Sequence, residues 1–190
     1  MSQTPFIVGF GGTTRAGSSS ERMVAAVLKE LESQGADTRL FGGEFLAGLP
    51  HYAPENPQRT DAQSEFVDAI RRADGIVIGS AAWHGGVSGL VKNAIDLIGD
   101  LQEDRRVFLQ GRAVGLVVTA GGWQAAGTTL SAMRDIVHAL RGWPTPAGVA
   151  IKSEPAHFTA DGTLTDTAIL RTVQAQAGQI LALSTAGVLV

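Results

Sequence analysis

Glycine, hydroxyl side chains and one arginine are concentrated in Gly12-Thr13-Thr14-Arg15-Ala16-Gly17-Ser18-Ser19-Ser20. These residue types, so spaced, suit anion binding. Glycines let backbone N–H groups approach closely, serine and threonine donate further hydrogen bonds, and a helix N-terminus adds partial positive charge. Arg15 offers a bidentate, charge-assisted contact. The stretch follows an apolar run, Phe6-Ile7-Val8-Gly9-Phe10, and precedes an amphipathic segment over residues 21–31. A strand, a glycine turn and a helix start in that order form a phosphate cradle. The plainer reading of the same residues is a serine-rich helix cap.

Spacing separates this loop from two common nucleotide loops. Gly12 and Gly17 match the outer glycines of a P-loop, but Ser18 stands where the lysine belongs. Gly9-Phe10-Gly11-Gly12-Thr13-Thr14 fails the dinucleotide fingerprint at its third glycine. A loop without the lysine and rich in hydroxyls suits a terminal phosphate monoester, which is wrapped by donors more fully than a pyrophosphate. A hydrolase nucleophile elbow is approached only by Gly86-Val87-Ser88-Gly89-Leu90, which ends on the wrong residue.

Other chemistries are bounded by composition. The chain has no cysteine, which removes disulfides, thiolate catalysis, iron–sulfur ligation and Cys-based zinc sites. Redox chemistry must therefore come from a bound organic cofactor. His51 and His157 have no companions at metal-ligand spacing, and His138, three residues after Asp135 on a helix, reads as half of a surface pair rather than a ligand. A net charge of −3 with no basic cluster argues against nucleic acid or an anionic membrane as partner. No basic segment followed by an apolar stretch opens the chain, and the apolar tail 180–190 is too short to span a bilayer. A cytoplasmic protein is expected. At 190 residues and 44% hydrophobic, the chain suits a single domain, residues 1–190, with a full core.

The elements that must carry the loop alternate in type. Strands are expected over residues 5–11, 37–41, 74–80, 112–120 and 149–152, and helices over 18–34, 60–72, 88–101, 128–140 and 165–183. Residues 42–59, with Pro50, Pro54 and Pro57, read as a loop. Such alternation implies an α/β three-layer sandwich, a parallel sheet covered by helices on both faces. Right-handed crossovers make 2-1-3-4-5 the five-stranded order. Ligands of these sheets bind beyond the carboxyl ends of the strands. Glycine-rich turns follow the first, third and fourth strands, at Gly12, Gly85-Gly86 and Gly121-Gly122, and so converge on that edge.

Together these turns resemble the flavodoxin-like NADPH-dependent FMN reductase family, over nearly the whole chain. The family's first loop, G-S-x-R-x-x-S, holds the FMN phosphate. Here it is Gly12-Thr13-Thr14-Arg15-Ala16-Gly17-Ser18, with Thr13 keeping the hydroxyl. Ser20 falls where the family often has another polar phosphate contact. Gly89, Lys92-Asn93 and Asp96 match its G-x-x-K-N-x-x-D, and Thr119-Ala120-Gly121-Gly122 matches the Gly-Gly turn near the flavin ring. Ala81-Ala82-Trp83-His84-Gly85 departs from the usual proline and Tyr-Asn pair. Residues 154–162 are similar to a late segment of reductases that supply reduced flavin to monooxygenases.

The resemblance implies FMN and NAD(P)H as cofactors. It assigns the phosphate to Thr13, Arg15, Ser18 and Ser20, and the ring to Ala81, Ala82, Trp83, His84, Gly85, Thr119, Ala120, Gly121 and Gly122. Hydride transfer needs stacked rings rather than a side-chain acid or base, so no catalytic residue is expected. Arg15 as a surface charge, Trp83 and Trp123 as partner-facing or core aromatics, and His84 as a solvent-facing turn remain open. The implied activity is an NAD(P)H-dependent FMN reductase, with a partner monooxygenase as consumer. A quinone or azo-compound reductase and a non-enzymatic electron carrier are the alternatives. A homodimer or homotetramer is expected, through the 90–98 and 132–140 helix faces.

Overall fold

The computed structural model describes residues 4–154 and 157–185. Parts of the apolar tail 180–190 and of the 154–162 segment lie outside the described residues. The strands are β1 (Phe6–Gly12), β2 (Asp37–Phe41), β3 (Gly75–Trp83), β4 (Gly86–Val87), β5 (Ala113–Ala120), β6 (Trp143–Pro144) and β7 (Val149–Lys152). The helices are α1 (Ser19–Ser33), α2 (Gly43–Ala47), α3 (Asp61–Arg72), α4 (Gly89–Leu97), α5 (Trp123–Ala139) and α6 (Thr167–Thr185), with a 3₁₀ turn at Ile98–Leu101.

The sheet runs β2-β1-β3-β5, with β6 and β7 both pairing β5 on its outer side. All these pairings are parallel. Counting only the strands expected from sequence, this is the 2-1-3-4-5 order. β4 is an antiparallel addition to β3.

Strand alternation divides the core. Val8, Phe10, Ile76, Ile78, Val114, Leu116 and Val118 pack with buried residues of α3, α4 and α5. Ile7, Val77, Ala113 and Val117 pack with α1 and α6. Near-continuous apolar strands are what a doubly covered parallel sheet demands. Gly9 and Gly79 let α1 lie close: a Cβ there would meet Leu28 Cδ1 at 2.7 Å and Val24 Cγ2 at 2.2 Å.

At the opposite, amino edge, fully buried Arg112 donates to the carbonyls of Ala73, Phe108 and Arg71. Burial lowers its pKa to about 10, so it remains cationic at neutral pH and satisfies three carbonyls, of which that of Arg71 is in the last turn of α3.

Several elements differ from the expectation. α2 lies inside the expected 42–59 loop. It is a short turn of helix whose start is held by a distant carboxylate, Glu21, which no local periodicity signals. α5 begins at Trp123, five residues before residue 128, because extended Gly122 caps it and Gly127 is accommodated inside the helix. β4 was hidden in the second glycine turn. His84 (φ 53°) and Gly85 (φ 82°) form a two-residue hairpin loop in which both residues are left-handed.

Candidate functional site

Register brings the three turns to one level. Gly12 pairs Ser80, Ala81 pairs Thr119, and Ala120 pairs Lys152, so the first, third and fourth expected strands leave the sheet in a row. A cavity of about 430 Å³ opens there. That volume lies in the roughly 300–1,000 Å³ range of small-molecule sites.

The first loop forms one wall. Ser18 is the N-cap of α1 and its hydroxyl accepts from the Glu21 N–H. The Thr13 hydroxyl accepts from the Arg15 N–H at 3.2 Å, which fixes the turn and leaves the Thr13 hydroxyl proton free to donate outward. Ser18 and Ser20 are buried, with their hydroxyls 3.4 Å apart. No acceptor among the described residues takes the N–H of Thr14, Ala16 or Gly17. Arg15 is exposed and has no carboxylate partner among the described residues.

The second wall is the β3–β4 hairpin. Ala81, Ala82 and Trp83 line the cavity, with Trp83 exposed at its rim. The Ser80 hydroxyl donates to the Ala81 carbonyl and accepts from the Ser88 N–H, locking the hairpin to the start of α4. The third wall is Thr119, Ala120 and Gly121. Gly122 caps α5 without a side-chain hydrogen bond, so the first-turn N–H groups of α5 stay unsatisfied at this edge.

Ten of the thirteen expected site residues therefore share one cavity: Thr13, Arg15, Ser18, Ser20, Ala81, Ala82, Trp83, Thr119, Ala120 and Gly121. Three do not line it. His84 and Gly85 occupy the hairpin tip, where the Gly85 carbonyl accepts from the Thr128 hydroxyl, and Gly122 lies behind Gly121 as the α5 cap. The cavity adds Gly12, Thr14, Ser19, Ser88, Gly89, Leu90 and Ser153. Ser153 follows β7, and its hydroxyl donates to Ser19 at 2.8 Å. Pairing register reveals it, since Ser153 lies just outside the 154–162 segment and 134 residues from Ser19.

Arg15 is the one charged side chain among the described lining residues; the other polar ones are hydroxyls. Such a lining offers no base beside a nucleophile. It offers donors to an anion at one end and small, neutral surface along the rest. These residues fit a phosphorylated, planar cofactor such as FMN. Among the described residues, no group of three His, Asp or Glu side chains is placed to hold a metal ion.

Comparison with known proteins shows the family of the chain. Residues 5–156 match the family model for NADPH-dependent FMN reductase. The chain is 34% identical over 159 residues to an FMN-dependent NADPH-azoreductase of Staphylococcus saprophyticus, covering 80% of this chain and 79% of that protein. It is 25% identical over 160 residues to the protein of the same description from Staphylococcus haemolyticus, covering 80% of each. The fold is similar to that of a flavoenzyme NAD(P)H:(acceptor) oxidoreductase from Paracoccus denitrificans. The TM-score is 0.74 at 17% identity, over 94% of this chain and 98% of that one. With the match running from β1 through the third wall of the cavity, this chain is a member of the NADPH-dependent FMN reductase family.

Proposed function

We propose that the protein is an NAD(P)H-dependent FMN reductase whose carboxyl-edge cavity holds the flavin. Thr13, Arg15, Ser18 and Ser20 would bind the phosphate, with Ala81 to Trp83 and Thr119 to Gly121 along the ring. The observation that carries this reading is a guanidinium at the hydroxyl-lined end of the cavity that has no carboxylate partner, and no other charge beside it in the lining, among the described residues. FMN, when bound, supplies the ring that accepts hydride from the nicotinamide and passes electrons onward.

The chain's own residues bind and orient. The loop N–H groups and Arg15 fix one end of the ligand, which converts a diffusional encounter into an oriented one. The uncapped start of α5 places partial positive charge beside Gly121 and favours negative charge developing there. Small residues, Ala81 and Ala82, leave one face open for a second planar molecule.

Residues 1–190 are taken as one domain, cytoplasmic and homo-oligomeric, with a flavin-dependent monooxygenase as consumer of the reduced flavin. Among the described residues, no helix is long and apolar enough to cross a membrane. A second reading, an azo-compound or quinone reductase that retains FMN, is favoured by the names of the two staphylococcal relatives.

Steady-state oxidation of NADH and NADPH separates these readings. Turnover that rises with free FMN supports the reductase. Turnover that needs an azo dye or quinone and only catalytic FMN supports the second reading. No oxidation under either condition contradicts both and leaves an electron carrier.

A further inference from the structure

Glu21 stands where a carboxylate ought to be unwelcome. Ser18-Ser19-Ser20-Glu21 is a capping-box pattern, in which the acidic side chain folds back onto the N-cap N–H. The protein builds the full box elsewhere, where Thr60 and Gln63 bond reciprocally at the start of α3. At α1 only the Ser18 half exists. The Glu21 carboxylate instead accepts from the Gly43 N–H at 2.8 Å, at the first residue of α2. Closing the box would set a negative charge on the helix N-terminus that a phosphate needs.

Three segments meet around this contact with no room for a side chain. A Cβ on Gly43 would lie 2.0 Å from the Thr13 carbonyl oxygen and 2.9 Å from the Thr13 nitrogen. A Cβ on Gly12 would lie 2.8 Å from the Gly43 nitrogen and 3.0 Å from Glu21 Oε2. A Cβ on Gly42 would lie 3.1 Å from the same oxygen. The backbone of α2 thus rests directly on the residue that opens the anion loop, and Glu21 ties it there.

We propose that Glu21 and Gly43 are positioning residues that make the cavity select a phosphorylated flavin over its unphosphorylated form. The Gly43 N–H draws the carboxylate away from the α1 N-terminus, and the close Gly43–Thr13 contact holds the loop in its anion-binding shape. Neither residue lines the cavity. The inference rests on the FMN reading of the site.

Its test compares dissociation constants of the intact protein for FMN and riboflavin, which differ by the phosphate. Glu21→Asp keeps the charge but shortens the reach, so the carboxylate loses Gly43 and returns to its own helix start. The expected result is about tenfold weaker FMN binding, the size of one charge-assisted hydrogen bond, with riboflavin binding within about twofold. Glu21→Gln retains an acceptor for the Gly43 N–H, and its FMN affinity is expected within about threefold of wild type. Gly43→Ala, which forces Thr13 away, is expected to lower FMN affinity further. Equal losses for FMN and riboflavin in Glu21→Asp, or no loss for either, would overturn the inference. Wild-type protein that binds neither flavin would overturn the FMN reading itself, and this inference with it.

Discussion

Arg15 concentrates the electrostatics of the cavity. Its guanidinium has no carboxylate partner among the described residues and faces a lining otherwise neutral. An anion bound there gains a charge-assisted contact without breaking an existing ion pair. Arg15→Ala is therefore expected to weaken FMN binding about tenfold while leaving riboflavin binding and thermal stability unchanged. Fluorescence titration with the two flavins, beside a melting curve, checks it. Loss of stability would mark Arg15 as structural instead. The local geometry of this loop was legible because it depends on residue types at short spacing. Ser18 as N-cap and Thr13 as a hydroxyl beside the Arg15 N–H are local relations, within three positions in the chain. A histidine among glycines, His84, reads in sequence both as a ring contact and as a solvent-facing turn residue. Its φ of 53° places it at the hairpin tip, a left-handed turn position that sequence spacing alone does not reveal.

At the scale of elements, the Lys92-Asn93 pair divides into two roles. Lys92 makes an i,i+4 ion pair with Asp96 on the exposed face of α4, a contact of small energetic weight. Asn93 is buried and reaches across to the loop before α3. Its side-chain carbonyl accepts from the Tyr52 N–H at 2.8 Å and its amide donates to the Pro50 carbonyl at 3.1 Å. Asn93→Ala leaves the Tyr52 N–H without its acceptor, while the Pro50 carbonyl keeps the Gln63 side-chain amide as donor at 3.4 Å, an expected cost of about 1–3 kcal/mol. For a chain of this size the melting temperature should drop by roughly 2–4 °C per kcal/mol. Calorimetry checks it, and an unchanged melting temperature would contradict it. The long-range part of this motif was invisible in sequence, where Asn93 and Tyr52 are 41 residues apart. The same applies to α2, anchored through Glu21, and to Ser153 beside Ser19. Long apolar strands and amphipathic helices, by contrast, announce themselves by period, and apart from the start of α5 their bounds lie within a few residues of the expected ones.

At the scale of the molecule, function follows from where a parallel sheet sends its strands. Every crossover returns the chain to the same end, so the strands that end at Gly12, Trp83 and Ala120 deliver their turns to one cavity. Topology was legible because handedness and strand alternation leave few arrangements. Which side chains line the cavity was less so, because that depends on register: one residue of slip turns a lining residue inward. The amino edge, tied by Arg112 to three carbonyls, carries no such convergence and serves stability. A cavity proposed for the flavin at one edge and structural ties at the other are the division expected of a sheet covered on both faces. The most direct measurement of that division is a crystal structure of the protein with FMN. The expected result is phosphate density against Thr13, Arg15 and Ser18, and ring density beside Ala82 and Ala120. FMN bound at another surface, or a phosphate pointing away from that loop, would contradict it.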